Sequence, residues 1–244
     1  MDVAAQIDGL ARQAGSVAAV VRDAAARTGV DFSYLMAQAR VESGLNPAAR
    51  ARTSSARGLY QFTNATWIET VRRHGAAHGL GWAADAIASG AAKAGSAARE
   101  TILGLRDNAE AAALMAGEFA RDNGAALEAR LGRAVGSTDL YMAHFLGAGG
   151  AAKFLGVLAV APGTAAAAIL PEAAAANRGV FFAKGGSART VAEVYARFAA
   201  KLGSVGKAPL PAPQAPSPDL PRRGDAAIDL SRARMAYMVL AALS

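Results

Sequence analysis

A chain of 244 residues that is 53% hydrophobic and 18% charged has ample material for a core, which excludes a disordered polymer and allows one large domain or two small ones. It contains no cysteine, so disulfides, thiolate metal sites, iron–sulfur clusters and a cysteine nucleophile are excluded. The formal net charge of +7 suits an anionic partner: nucleic acid, an anionic membrane or an anionic cell wall. The basic residues are scattered, with no run of five and no helix-turn-helix or zinc-finger spacing, which argues against nucleic acid. No stretch of about twenty apolar residues is present, so no integral membrane segment is expected. The first ten residues carry Asp2 and Asp8 and no Lys or Arg, and the longest early apolar run is Val17 to Val21; a signal peptide is not expected here.

Alanine supplies 66 residues against eight Phe, five Tyr and two Trp, and no alternating run reads as a strand. Alanine loses little entropy in a helix and packs poorly on a pleated surface, so the expectation is an all-α, multi-helix globular domain. In chain order, helices are predicted from about 2 to 28 and from 31 to 43. A Gly/Ser/Arg-rich loop follows. Further helices are predicted from about 64 and near 85–93, 107–131, 138–146, 150–160, 164–176 and 188–202, with Gly, Pro and Asn between them. His74 and His78 have the four-residue spacing of a helical metal pair. Gly75 and Gly79 interrupt the segment, which reads instead as a solvated surface pair. No metal and no cofactor is expected.

Six of the nine prolines lie between Pro209 and Pro221. This divides the chain into a body over 1–205, an extended Pro-rich linker over 206–224 and a C-terminal amphipathic helix over 225–244, with Asp225 as N-cap and Ile228, Met235, Met238 and Leu243 on its apolar side. A helix on such a tether can dock on its own body, on a second copy or on an assembly partner.

The chemistry concentrates between Asp31 and Trp67. Asp31 is placed to cap a helix on which Phe32, Leu35, Ala39 and Glu42 share one face, so Glu42 sits on an apolar stripe in the last turn before Gly44. Desolvation disfavours its carboxylate, and so does the negative end of the helix dipole; a carboxylic acid kept protonated is what a general acid requires. The spacing alone fits better a glutamate paired with Arg40, Arg50, Arg52 or Arg57. No other acid occurs up to Ile68, and Asn46, Thr53, Ser54, Ser55, Gln61 and Asn64 supply neutral groups that suit sugar hydroxyls and acetamides. Tyr60, Phe62 and Trp67 read either as stacking faces or as core.

E-S-G-L-N-P at Glu42–Pro47 followed by S-S-A-R-G-L-Y-Q-F at Ser54–Phe62 resembles the soluble lytic transglycosylase (SLT) domain, a lysozyme-like fold that cleaves peptidoglycan. Glu42-Ser43 matches its first motif. Gly58-Leu59-Tyr60-Gln61 matches its second, with Tyr in place of Met. Ala143-His144-Phe145-Leu146-Gly147 is similar to its Ala-Tyr-Asn-Ala-Gly element but keeps only Ala and Gly, and Tyr195 stands at the final motif tyrosine. The order and spacing run through roughly residues 15–203.

The resemblance implies that Glu42 protonates the bond between N-acetylmuramic acid and N-acetylglucosamine, then acts as base to form a 1,6-anhydromuramoyl end. It implies that Tyr195 orients Glu42 and that Gln61 holds a sugar. It makes Ser54, Ser55, Tyr60, His144 and Phe145 candidate substrate contacts, with Ser43 bracing the helix end. The implied partner is the peptidoglycan glycan strand, in the periplasm or cell wall; the tethered tail helix and the missing signal add the expectation of local wall opening attached to an assembly such as a flagellar rod or phage tail. Two alternatives stand beside this: a hydrolytic muramidase, which needs a second carboxylate such as Asp85, Asp107 or Asp139, and a non-catalytic wall-binding assembly protein.

Overall fold

Capped, alanine-rich segments separated by glycine and asparagine fold into helices throughout the computed structural model, which describes residues 3–203, with side chains from residue 15 onward. The Pro-rich linker and C-terminal helix expected after residue 205 lie outside the described residues. Among the described residues there are eleven α-helices and no β-strand, only isolated bridges such as Arg57 to Phe62.

The first four are α1 (Val3–Thr28), α2 (Phe32–Ser43), α3 (Asn64–His74) and α4 (Gly81–Ala88). Then come α5 (Ala97–Gly104), α6 (Ala109–Leu131) and α7 (Ser137–Val160). The last four are α8 (Ala166–Ile169), α9 (Pro171–Ala176), α10 (Arg178–Phe181) and α11 (Val191–Leu202). The starts are chemically marked. The side chains of Asp31, Thr63, Ser96 and Asn108 each accept a backbone N–H of the first turn, and Thr190 with Glu193 forms a capping box on α11.

The differences from the sequence-based expectation have local causes. The segments near 138–146 and 150–160 are one element broken at Gly147, whose φ of 71° and ψ of 157° no helix contains. Pro171 opens α9 and divides the 164–176 stretch from α8. The fourth helix begins at Gly81 rather than near 85, and α5 and α10 are short elements that the residue pattern does not announce. His74 and His78 are not a solvated pair. The chain continues from α3 through a 3-10 turn at Gly75–His78, and both rings turn inward onto α6. His78 Nε2 lies 2.7 Å from Glu118 and His74 Nε2 2.9 Å from Asp122. Their side chains are only 7% and 15% exposed. The four-residue spacing of the histidines meets the same spacing of acids on α6.

The central element is α6, buried almost all round and packed against α1, α2, α3 and α7. At Gly117 a Cβ would lie 2.4 Å from Thr28 Oγ1, so the absence of a side chain sets how closely α1 and α6 approach. By length and composition α7 reaches what a membrane span requires, although the residue pattern shows no such stretch. Its first half is core: Leu140, Tyr141, Met142, Ala143, Phe145 and Leu146 are buried. Trp67 is fully buried and donates its indole N–H to the Ile102 carbonyl at 2.7 Å.

The loop from Leu45 to Thr63 has no helix of its own to satisfy its backbone. Arg106 does this from the turn after α5: it is 5% exposed, and its guanidinium donates to the carbonyls of Ser55 (2.7 Å), Phe62 (3.0 Å) and Leu103 (2.8 Å). Arg57, gripping Asp107 through two hydrogen bonds, makes a second tie. Between them Gly58 takes φ of 83°, and a Cβ there would lie 1.9 Å from the Arg106 carbonyl oxygen. Gly58→Ala therefore combines left-handed backbone strain with a backbone clash. It is expected to lower stability by about 2–4 kcal/mol and the midpoint of thermal unfolding by roughly 5–15 °C, while the control Gly132→Ala at an open cap has only the φ penalty; calorimetry of the two variants checks this.

Candidate active site

Glu42 reaches its position because α2 stops just beyond it. Gly44 adopts the left-handed conformation (φ 62°) and returns its N–H to the Ala39 and Arg40 carbonyls. Ser43 then sews the helix end to the loop: its hydroxyl donates to the Leu59 carbonyl at 2.8 Å and accepts the Asn46 N–H at 3.2 Å. The result is a glutamate 7% exposed at the floor of a cleft whose walls come from three places. Gln61, Phe62, Thr63 and Thr66 come from the loop and the start of α3, Phe119 and Asn123 from α6, and Ala143, His144, Gly147 and Ala148 from α7.

No arginine neutralises Glu42 among the described residues; Arg50 and Arg57 are both turned to Asp107. Its partners are on α7. Tyr141 donates its hydroxyl to Glu42 Oε1 at 3.2 Å, and His144 Nε2 lies 3.5 Å from the same oxygen. The two rings stack, with centroids 5.9 Å apart and planes 11° from parallel, and Phe119 meets His144 edge-on at 6.0 Å. Burial first, and then the Glu42 charge and hydrogen bond, push the Tyr141 phenol well above its ordinary range, so it is a permanent donor. Lys201 on α11 is also within electrostatic reach. Burial lowers its proton affinity, the Glu42 charge opposes that, and Arg197 adds to the lowering.

Of the residues singled out from sequence, the structure brings Glu42, Gln61, Phe62 and His144 together in the cleft. Gln61, held at φ 47°, uses its Nε2 on the carbonyls of Gly58 (2.8 Å) and Ala49 (3.1 Å). The others are placed elsewhere. Tyr60 is 1% exposed and donates to the Leu35 carbonyl at 3.2 Å, as a core residue does. Phe145, also 1% exposed, packs on Phe198 at 4.9 Å and does not line the cleft. Ser54 and Ser55 accept the N–H groups of Ala56 and Asn64, each at 3.2 Å, and serve the loop. Tyr195 does not reach Glu42: its hydroxyl donates to Asp139 Oδ1 at 2.9 Å, and the tyrosine on Glu42 is Tyr141.

The three aspartates considered as a second carboxylate are also away from the cleft. Asp85 is exposed, Asp107 is held by Arg57, and Asp139 by Arg133 and Tyr195. Glu42 is the only carboxyl group lining the cleft among the described residues. Tyr141, Phe119 and Asn123 escape the residue pattern. The available signal for Tyr141 is its three-residue spacing from His144, which puts both on one face of a helix. Phe119 and Asn123 have the analogous four-residue spacing on α6.

Residues 19–89 match the family model of the transglycosylase SLT domain. The matched segment runs from α1 through α4 and carries Glu42, Ser43 and Gly58 to Gln61. The all-helical architecture of the described residues agrees with the lysozyme-like class of that family. The cleft walls on α6 and α7 lie beyond the matched residues.

The buried tyrosines Tyr34, Tyr60 and Tyr141, with half-buried Tyr195, contribute to the response to alkali. Burial, with the Glu42 charge behind it, raises Tyr34; burial, with Tyr34 beside it, raises Tyr60; Tyr141 is raised as above, and burial with Asp139 pushes Tyr195 up to about 12. A tyrosine whose folded pKa is raised holds its proton in the folded state after the unfolded chain has lost it. Its contribution is thus complete below pH about 10 and falls as pH rises, by about 1.4 kcal/mol per pH unit for each fully buried phenol. The expected outcome is that tyrosinate absorbance from these residues appears together with unfolding above pH 10, not before it, in a titration followed at once by absorbance and circular dichroism.

Proposed function

We propose that the protein is a peptidoglycan lytic transglycosylase in which Glu42 serves first as general acid and then as general base. The observation that carries this reading is the cleft with one carboxyl group, carried on a segment that matches the SLT transglycosylase domain. Glu42 protonates the glycosidic oxygen between N-acetylmuramic acid and N-acetylglucosamine as the bond breaks. The acetamide of the muramoyl residue supports the oxocarbenium-like centre, which a second carboxylate would do in most glycosidases. The Glu42 carboxylate then takes the proton of the muramoyl 6-hydroxyl, whose oxygen closes on C1 to leave a 1,6-anhydro end, and no water is consumed.

The geometry supports each role. Tyr141 donates to Oε1 and so limits rotation of the carboxyl group, leaving Oε2 to carry the transferred proton. The Tyr141 ring and the His144 ring behind it keep that side of Glu42 dry. Gln61, locked by two backbone carbonyls, forms a rigid rim for a sugar. A muramidase mechanism needs a carboxylate to position water on the far face of the sugar, and Asp85, Asp107 and Asp139 are engaged or exposed elsewhere. The site of action is the periplasm or cell wall, where the net charge of +7 favours an anionic polymer.

Digestion of purified peptidoglycan, with the products weighed, tests the reading. Wild type is expected to release muropeptides about 18 Da lighter than hydrolysis products, because the attacking hydroxyl is internal. Glu42→Gln is expected to lower the rate by roughly 10²–10⁴-fold with the fold intact. Reducing ends in the products would establish the muramidase instead, and an inert wild type would leave a wall-binding assembly protein or an enzyme silent without its partner. Tyr141→Phe is expected to reduce kcat roughly tenfold to a hundredfold, the range for losing a hydrogen bond to a charged group, with little change in KM.

A further inference from the structure

The groups around Glu42 differ in when they carry charge. Tyr34 on α2 and Tyr141 on α7 are phenols that burial first, and then the Glu42 charge, keep protonated. The loop, α3 and α6 line the cleft with no titratable side chain among the described residues. Lys201 on α11, with the Arg197 charge acting on it, is a cation in acid solution. That leaves His144 on α7, and histidine is the side chain that ordinarily changes charge between about pH 5 and 8. Its Nε2 lies 3.5 Å from Glu42 Oε1, the oxygen that also accepts the Tyr141 hydroxyl. The His144 and Glu42 side chains are only 14% and 5% exposed, so water screens one from the other poorly. Stacking on Tyr141 and the edge-on contact with Phe119 hold the ring in that place. Both residues line the cleft.

At 3.5 Å a neutral imidazole forms at most a weak hydrogen bond, whereas an imidazolium places a full positive charge beside the carboxyl group. That charge favours the carboxylate over the carboxylic acid. It acts on a general acid in two opposite ways. Glu42 gives up its proton more readily, because the carboxylate that develops in the transition state is stabilised. Glu42 is also loaded with that proton only at lower pH. We propose that His144 is a positioning residue that acts through Glu42 by its charge, speeding proton transfer to the glycosidic oxygen in acid and confining the loaded enzyme to lower pH. The proton passes from Glu42 to the glycosidic oxygen, the bond from that oxygen to C1 breaks, and the electron pair of the bond stays on the oxygen. His144 keeps its own proton throughout. The inference rests on the reading of Glu42 as general acid given above, and it assigns a role to a helix beyond the matched residues 19–89.

The test is the pH dependence of kcat/KM for release of anhydromuropeptides from peptidoglycan, followed from about pH 4 to 9 with the full-length protein. Wild type is compared with His144→Gln, which keeps a neutral donor, and with His144→Phe, which keeps a ring for Tyr141. In acid both variants are expected to be roughly tenfold slower. Their alkaline limb is expected about one pH unit above that of wild type, so the curves converge or cross as pH rises. A merely structural role would lower the whole curve and leave its limb in place; that outcome, or curves identical to wild type, overturns the proposal. A second measurement needs neither activity nor a His144 variant. His144 is one of three histidines, and its ring signal is followed by nuclear magnetic resonance against pH in wild type and in Glu42→Gln. The curve is expected to move to lower pH when the Glu42 charge is removed, and identical curves overturn the proposal. An active wild type whose alkaline limb ignores His144 sinks this inference alone. A wild type that releases nothing at any pH sinks the transglycosylase reading and this role with it.

Discussion

The candidate site depends on a buried arginine. The stretch between α2 and α3 contains the residues that close over Glu42, yet it forms no helix or sheet to occupy its peptide groups. Arg106 takes three of its own and the loop's carbonyls with one guanidinium while buried, although burial and the neighbouring Arg57 pull its proton affinity down to about 10. It still carries its charge at neutral pH, and charged donors make the strongest hydrogen bonds to carbonyls. The arrangement works only with Gly58 beneath it, because the Arg106 carbonyl stands where any side chain at that position would begin. The Gly-Leu-Tyr-Gln stretch is therefore a backbone requirement in its first residue and a core requirement in its next two. Only Gln61 faces the cleft.

A second division runs through the cleft itself. One wall and the acid come from α2, the loop and α3; the groups that orient the acid and line the opposite wall come from α6 and α7. The two halves meet because α6 is buried on nearly every face and holds α1, α3 and α7 around it. Gly117 against Thr28 lets α1 come in close on one side. His74 and His78 tie α3 to Glu118 and Asp122 on another side of α6. Phe119, between Glu118 and Asp122 in sequence, projects into the cleft. The histidine–carboxylate cluster thus lies on α6 beside the cleft residue Phe119.

The same economy shows in the aromatic residues. With only eight Phe, five Tyr and two Trp in 244 residues, few are left over for the surface. Trp67, Tyr34, Tyr60, Tyr141, Phe145, Phe154 and Phe181 are among the largest fully buried side chains. The three buried tyrosines each carry a hydroxyl into the interior, and for Tyr60 and Tyr141 its acceptor is known: the Leu35 carbonyl and Glu42. The aromatic rings lining the cleft are thereby reduced to Phe62, Phe119 and His144.

Local rules were enough for a large part of this. Alanine content and the absence of alternation determined an all-helical chain; Asp31 and Gly44 determined where α2 begins and ends; and a three-and-four spacing put Glu42 on the inner side of its last turn, since helix periodicity acts over a few residues. The stretch from Glu42 to Phe62 pointed to the loop and Gln61 through its resemblance to the SLT motifs. What the tertiary structure decided is everything that joins distant segments. Tyr141 rather than Tyr195 holds Glu42, separated by 99 positions; Tyr60 and Phe145 turn inward; the histidine pair is sequestered by acids 40 and 48 residues away; and Asn123 on α6 comes to line the cleft. Periodicity states which residues share a face of one helix. Which face meets which is settled only when α6 is enclosed and the helices around it compete to bury their apolar sides, and no spacing along the chain records the outcome of that competition.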